Sequence, residues 1–226
     1  MQILFKILNP YVKAFFLLAF LAKITSLDAL TYKYLNSSLA YNINWAKFWG
    51  LVNHRYESWI NVIVMLGLNL IALKDVENRS VYFKRIIGAV LILELAILTN
   101  YLVFQKALAI NRLSPSMVFG EYFPMQHMFG AYSVKVASKN SFPSGHALVA
   151  VYWGLVSHYI MPKKYFPLIK LVALILCTSR LFTGAHWLSD VLATAAISII
   201  WFQIYVNLRQ AISGYKLSRF KNKYFK

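Results

Sequence analysis

The stretch WLSDVLATAAISIIWFQIYV, residues 187–206, holds twenty residues and a single charge, Asp190. Wound as a helix at about 1.5 Å per residue, it covers about 30 Å, the thickness of a bilayer hydrocarbon core. A carboxylate at the end of such a run is costly in lipid unless it serves a site. Five further apolar runs lie outward from it, at 12–27, 59–73, 86–104, 147–161 and 167–181. The first is interrupted by Lys13 and Lys23. The composition agrees with a membrane protein. Hydrophobic residues make up 59% of the 226-residue chain and charged residues 14%, against about 45–50% and about 25% in soluble domains. A single globule in water cannot enclose that much apolar surface. One cysteine, Cys177, excludes a disulfide scaffold.

The sequence therefore predicts an all-α integral membrane bundle of six transmembrane helices, forming one domain over 1–226. A signal peptide is the rival reading of 12–27, but no small-x-small cleavage site follows Ala22, so a retained span is expected. The formal net charge is +17. The basic residues sit between apolar runs, which points to anionic lipid headgroups or phosphorylated lipids rather than nucleic acid. With both termini on one side, that side carries fourteen of the 24 Lys and Arg residues, which makes it the cytoplasmic one. The basic, aromatic tail 216–226 reads as an anchor on anionic lipid.

The unusual composition falls in the loops of the opposite face. Residues 28–58 carry Tyr32, Tyr34, Tyr41, Trp45, Phe48 and Trp49 and read as an interfacial helical segment. Residues 105–146 form a long loop with little periodicity, which is usually functional or disordered. It ends in Ser141-Phe142-Pro143-Ser144-Gly145-His146. A second polar segment, Ser179-Arg180 through His186 to Asp190, joins the last two spans at the same face.

Together these residues describe phosphoryl transfer. Ser144 and Gly145 at a helix start offer backbone N–H groups, a hydroxyl and the positive helix end to an anion. Arg180 and Arg112 bring planar forks suited to phosphate oxygens. His186 and Asp190 are four apart, neighbours on a helical turn, so the carboxylate can fix the imidazole for attack on phosphorus. His146 can then protonate the leaving oxygen. Two histidines and an aspartate also suit a metal site; two nearby arginines would repel the cation, so no metal or cofactor is expected. Alone, each residue is more often structural than catalytic.

Pro143-Ser144-Gly145-His146 and Ser179-Arg180, five residues, His186, three residues, Asp190 resemble the second and third motifs of the type-2 phosphatidic acid phosphatase superfamily, membrane branch. The resemblance implies six spans, an outward-facing site and metal-independent phosphoryl transfer on lipid phosphates. It makes His186, His146 and Asp190 catalytic, with Arg112, Arg180, Ser144 and Gly145 on the phosphate. The first family motif, a lysine, six residues, then Arg-Pro, is only half kept. Arg112 fits, but Gln105 stands at the lysine position and Leu113 at the proline; Lys106 is one residue late.

Gln105 with Arg112 and Ser114-Pro115 is similar to the branch of lipid A 1-diphosphate synthases, which move a phosphate from undecaprenyl diphosphate to lipid A 1-phosphate. Asn53-x-Arg55, Asn100 and Ala185-His186-Trp187 extend that similarity. Members of that branch carry Gly-Asp-His where this chain keeps Ser144-Gly145-His146. The implied setting is the periplasmic face of the bacterial inner membrane, with termini in the cytoplasm. Gln105, or Lys106, then contacts phosphate. Whether water or lipid A accepts the phosphoryl group stays open at this stage, because the same residues serve a lipid phosphatase. Of the remaining polar residues, His127 reads as a loop residue and His54-Arg55, beside aromatics, is a candidate contact to a second phosphorylated lipid. Glu94 reads as a helix–helix hydrogen bond, and His158 lies at the far end of its span.

Overall fold

The computed structural model describes residues 9–54, 57–125 and 134–213. Arg55, His127 and the tail 216–226 lie outside them. Among the described residues there is no strand, only an isolated bridge between His54 and Val134. The helices are α1 Pro10–Ile24, α2 Leu27–Ser38, α3 Ile43–Val52, α4 Glu57–Ala72, α5 Arg79–Asn100, the short α6 Pro115–Phe119, α7 Gly145–Ile160, α8 Phe166–Phe182 and α9 Leu188–Ser213.

Local chemistry sets several of the boundaries. Asn9 caps α1 by accepting from the Tyr11 N–H at 3.0 Å, and Pro10 at the first position needs no donor partner. At the other end the Thr25 hydroxyl donates to the Leu21 carbonyl at 2.7 Å and accepts from the Leu27 N–H at 3.3 Å. The chain turns by 84° there. The run 12–27 is thus a helix that breaks, and α2 leaves it sideways. Helix α2 buries Asp28, Tyr32 and Asn36, which recur every fourth residue and so share one face.

Three helices among the described residues are long and apolar enough to cross a membrane: Arg79–Ala107, Lys163–Phe182 and Leu188–Ile212. The bent pair Pro10–Ile24 and Leu27–Tyr41 makes a fourth if it counts as one broken span. Fewer than the six expected runs reach that length. Helices α4 and α7 have 16 residues each, which at about 1.5 Å per residue is about 24 Å.

Helix α7 is the centre of the bundle, packed by α4, α5, α8 and α9, while α1 lies along α9. Its residues are buried on nearly every side, the pattern of a core helix. A Cβ on Gly154 would stand 2.9 Å from the Ala173 Cβ, so only glycine permits this α7–α8 approach. Away from the motif end, Asn69 on α4 donates to the Ser157 hydroxyl at 2.9 Å and accepts from Tyr82 at 2.9 Å. This three-helix link satisfies polar groups inside an apolar core. Glu94 does not join two helices as expected. It is exposed on the outer side of α5.

Candidate active site

All the motif residues meet at one end of the bundle. The start of α7 brings His146, the end of α8 brings Arg180, and the α8–α9 turn brings His186 and Asp190. The turn depends on Gly184, which has φ +74° and follows the last turn of α8 as a left-handed cap. A Cβ on Gly184 would overlap the Tyr32 ring and press on Ser116. Arg112 and Ser141 come from facing loop segments, joined where the Ser141 N–H donates to the Arg112 carbonyl at 2.8 Å.

The His186 ring is buried, and its Nδ1 lies 2.6 Å from the Ser141 carbonyl oxygen. A carbonyl only accepts, so Nδ1 carries the proton and Nε2 keeps its lone pair. Burial, then the Arg180 charge, holds this imidazole at a pKa of about 3, with the charges of Lys135 and Arg112 adding smaller pushes. The ring is therefore neutral over the whole physiological range. The unfolded chain binds the proton at about pH 6.5, so stability falls as pH drops from there toward 3 and is unaffected above it. We expect an apparent loss of about 2 kcal/mol at pH 5 from this group. Thermal unfolding in detergent at pH 7 and pH 5 should show a smaller difference for His186→Gln than for the unmodified chain.

His146 faces the same arginine. Its Nε2 lies 2.6 Å from Arg180 Nη2. A guanidinium only donates, so this Nε2 accepts. Arg180 is buried, and its Nη1 donates to the Lys135 carbonyl at 3.2 Å.

Asp190 departs from the expected geometry. Its carboxylate accepts from Arg112 Nη1 at 2.5 Å and from the Trp187 N–H at 3.0 Å. It does not hold the His186 ring, because His186 precedes α9 instead of lying on it. The i,i+4 spacing therefore does not operate. Arg112 is also held from the opposite side. Its Nη2 donates to Asp28 at 2.8 Å, and Asp28 accepts from the Ser189 N–H at 2.8 Å and hydroxyl at 2.6 Å. The Trp187 ring lies 5.3 Å from the guanidinium.

Ser144 is fully buried and serves the fold. Its hydroxyl caps α7 by accepting from the Ala147 N–H at 3.4 Å, and its own N–H donates to Thr194 at 3.0 Å. That hydroxyl does not face an incoming anion as expected; Gly145, the exposed first residue of α7, has open space where a Cβ would stand. Gln105 sits exposed on a π-helical extension of α5, Tyr101–Ala107, and hydrogen-bonds none of the cluster. Lys106, beside it, lies over the Tyr101 ring at 5.4 Å. The wide π turn presents a different face from the α-helix assumed in spacing arguments.

Sequence reasoning missed Asp28, Ser189 and Lys135. Asp28 left a trace, since it recurs at i, i+4 and i+8 with Tyr32 and Asn36 along one helix face. Among the described residues no three His, Cys, Asp or Glu side chains are grouped to hold a metal ion. The two histidines are instead engaged by an arginine and a carbonyl. The arrangement can hold a phosphate against cations and present one neutral imidazole to it.

The fold can be compared with the crystal structure of a transmembrane PAP2-type phosphatidylglycerolphosphate phosphatase from Bacillus subtilis. The match has a TM-score of 0.45 and 17% identity, covering 91% of this chain and 97% of that one. No curated protein matches the chain by sequence. The PAP2 superfamily model, however, matches residues 85–213, which contain every motif residue. That span exceeds half of the chain, so this membrane protein belongs to the PAP2 superfamily and is a lipid phosphatase or phosphotransferase.

Proposed function

We propose that the protein transfers a phosphoryl group from undecaprenyl diphosphate to lipid A 1-phosphate, without a metal, through a phosphohistidine at His186. One observation carries the mechanism: the Ser141 carbonyl holds Nδ1–H and leaves Nε2 of a neutral, buried ring as the attacking atom. Its lone pair forms the N–P bond as the bond to the bridging oxygen of the lipid diphosphate breaks. When a phosphate draws Arg180 away, Nε2 of His146 takes the P–OH proton of the bound diphosphate monoanion and passes it to the departing undecaprenyl phosphate oxygen. Arg180 and the amide end of α7 at Gly145 stabilise the equatorial oxygens as charge redistributes. An oxygen of lipid A 1-phosphate then takes the phosphoryl group from the histidine. Asp190 acts at one remove, by fixing Arg112.

The setting is a six-span, single-domain bundle in the bacterial inner membrane, with the site periplasmic and the termini cytoplasmic. Short helices such as α4 and α7 are accommodated in such a bilayer by snorkelling flanks or local thinning. Gln105 in place of the usual lysine, followed by Arg112 and Ser114-Pro115, supports lipid A as acceptor. Ser144-Gly145-His146 favours the second reading, a lipid phosphatase using water.

Purified protein in detergent, given undecaprenyl diphosphate labelled in its terminal phosphate, separates them. Label should move onto lipid A when it is supplied. Label released only as inorganic phosphate, with or without lipid A, would contradict the transferase reading.

A further inference from the structure

We propose that Asp28, on α2 and outside the segment shared with the PAP2 superfamily, is a positioning residue for phosphate binding that acts through Arg112. The inference rests on the phosphoryl-transfer reading given above.

The shared segment begins at residue 85, so none of α2 belongs to it. The buried face of α2 nevertheless docks on both loops that build the site. Tyr32 donates to the Gly120 carbonyl at 2.5 Å. The Asn36 side chain donates to the Phe182 carbonyl at 2.8 Å and accepts from the Phe123 N–H at 2.9 Å. Those contacts are to backbone and seat the helix. Asp28, one turn before Tyr32 on the same face, reaches a side chain of the site instead. One of its carboxylate oxygens accepts from the Ser189 N–H at 2.8 Å, in the first turn of α9, where negative charge suits the helix end. The other accepts from Arg112 Nη2 at 2.8 Å and from the Ser189 hydroxyl at 2.6 Å.

Arg112 is thereby held from two helices. Its Nη1 donates to Asp190 and Ser189, both on α9, and only Asp28 grips it from α2. A guanidinium carries five N–H donors. Among the described residues three of them are used in this way, which leaves Nε–H and the second Nη2–H for an anion. The side chain keeps 22% exposure. The backbone of Arg112 is tied to the attacking ring as well. Its carbonyl accepts from the Ser141 N–H, and the Ser141 carbonyl holds His186 Nδ1. A guanidinium fixed by Asp28 is therefore fixed relative to His186, and a phosphate meets it without the cost of ordering a long side chain.

The test titrates the full chain in detergent micelles with orthovanadate, a phosphate analogue that needs no lipid, by calorimetry. Asp28→Asn keeps the side-chain volume but turns one acceptor oxygen into a donor, so it cannot serve Arg112 and Ser189 together. It should weaken vanadate binding by about tenfold, the scale of one charge-assisted hydrogen bond. In an Arg112→Gln background the same change should cost less than about threefold, because the residue it acts through is gone. Asn36→Ala loosens the same face of α2 elsewhere; it should lower the unfolding temperature and leave vanadate affinity within about threefold. With a lipid phosphate substrate, Asp28→Asn should raise KM more than it lowers kcat. Unchanged vanadate affinity in Asp28→Asn would overturn the proposal, and so would tighter binding, which would mark Asp28 as a competitor for Arg112. An equal loss in Asn36→Ala, or an undiminished loss in the Arg112→Gln background, would also overturn it, since either marks a structural role. Failure of the unmodified chain to bind vanadate would remove the phosphoryl-transfer reading itself, and the role of Asp28 with it.

Discussion

His186→Ala should lose turnover by on the order of 10⁴-fold or more, the scale seen when a covalent nucleophile is removed. Among the described residues of the cluster, none is placed to replace it. The His146 ring is engaged by Arg180 at Nε2, and Ser144 is a buried helix cap. The fold should survive, because the lost ring makes one hydrogen bond, to the Ser141 carbonyl. Such a bond contributes about 1 kcal/mol net. Initial rates on a lipid diphosphate, paired with thermal unfolding in the same detergent, separate chemistry from stability. Turnover retained within tenfold would remove His186 from the chemistry.

The second large effect is expected at Asp190, on stability as well as rate. The side chain is fully buried, and Asp190→Ala strips the Trp187 N–H of its acceptor and leaves Arg112 with Asp28 and the Ser189 hydroxyl. Because Asp28 still pairs with Arg112, the loss is that of buried hydrogen-bond partners, about 1–3 kcal/mol. Because Asp28 and Asp190 grip the same guanidinium from α2 and α9, their effects should not add. A double-mutant cycle with Asp28→Ala should give a coupling of about 0.5–3 kcal/mol. Additive losses would mean that the two carboxylates act independently and that Arg112 does not link them.

The membrane character and the site's main residues were legible because both are written in side chains. Apolar runs must be about 20 residues long to span lipid, and a lone Asp190 beside one needs a partner. What stayed hidden lies in the backbone or far away in sequence. The partner that fixes His186 is a main-chain carbonyl at Ser141, and no residue type encodes a carbonyl. The i,i+4 rule paired His186 with Asp190, but it holds only within a helix, and α9 begins at Leu188. Asp28 reaches the site because the chain bends by 84° after α1; Thr25 and Ser26 give no proline or glycine signal there. The same bend ends the first expected span at Ile24, and α2, from Leu27, runs into the expected interfacial segment. Glu94 reads from its span as a helix–helix hydrogen bond, yet α5 turns it outward. Lys135 carries no pattern, since its position follows from two flanking valines and one hydrogen bond to Arg180.

The central claim is that Nε2 of His186 carries the phosphoryl group between donor and acceptor. It is tested most directly by mixing the protein with terminally labelled undecaprenyl diphosphate, quenching within a turnover in alkali, where phosphohistidine survives, and locating the label by peptide mass spectrometry. The account predicts label on the peptide containing His186, as the Nε2 isomer, and none in His186→Ala. Turnover with no labelled protein, or label at Nδ1 or on another residue, would contradict it.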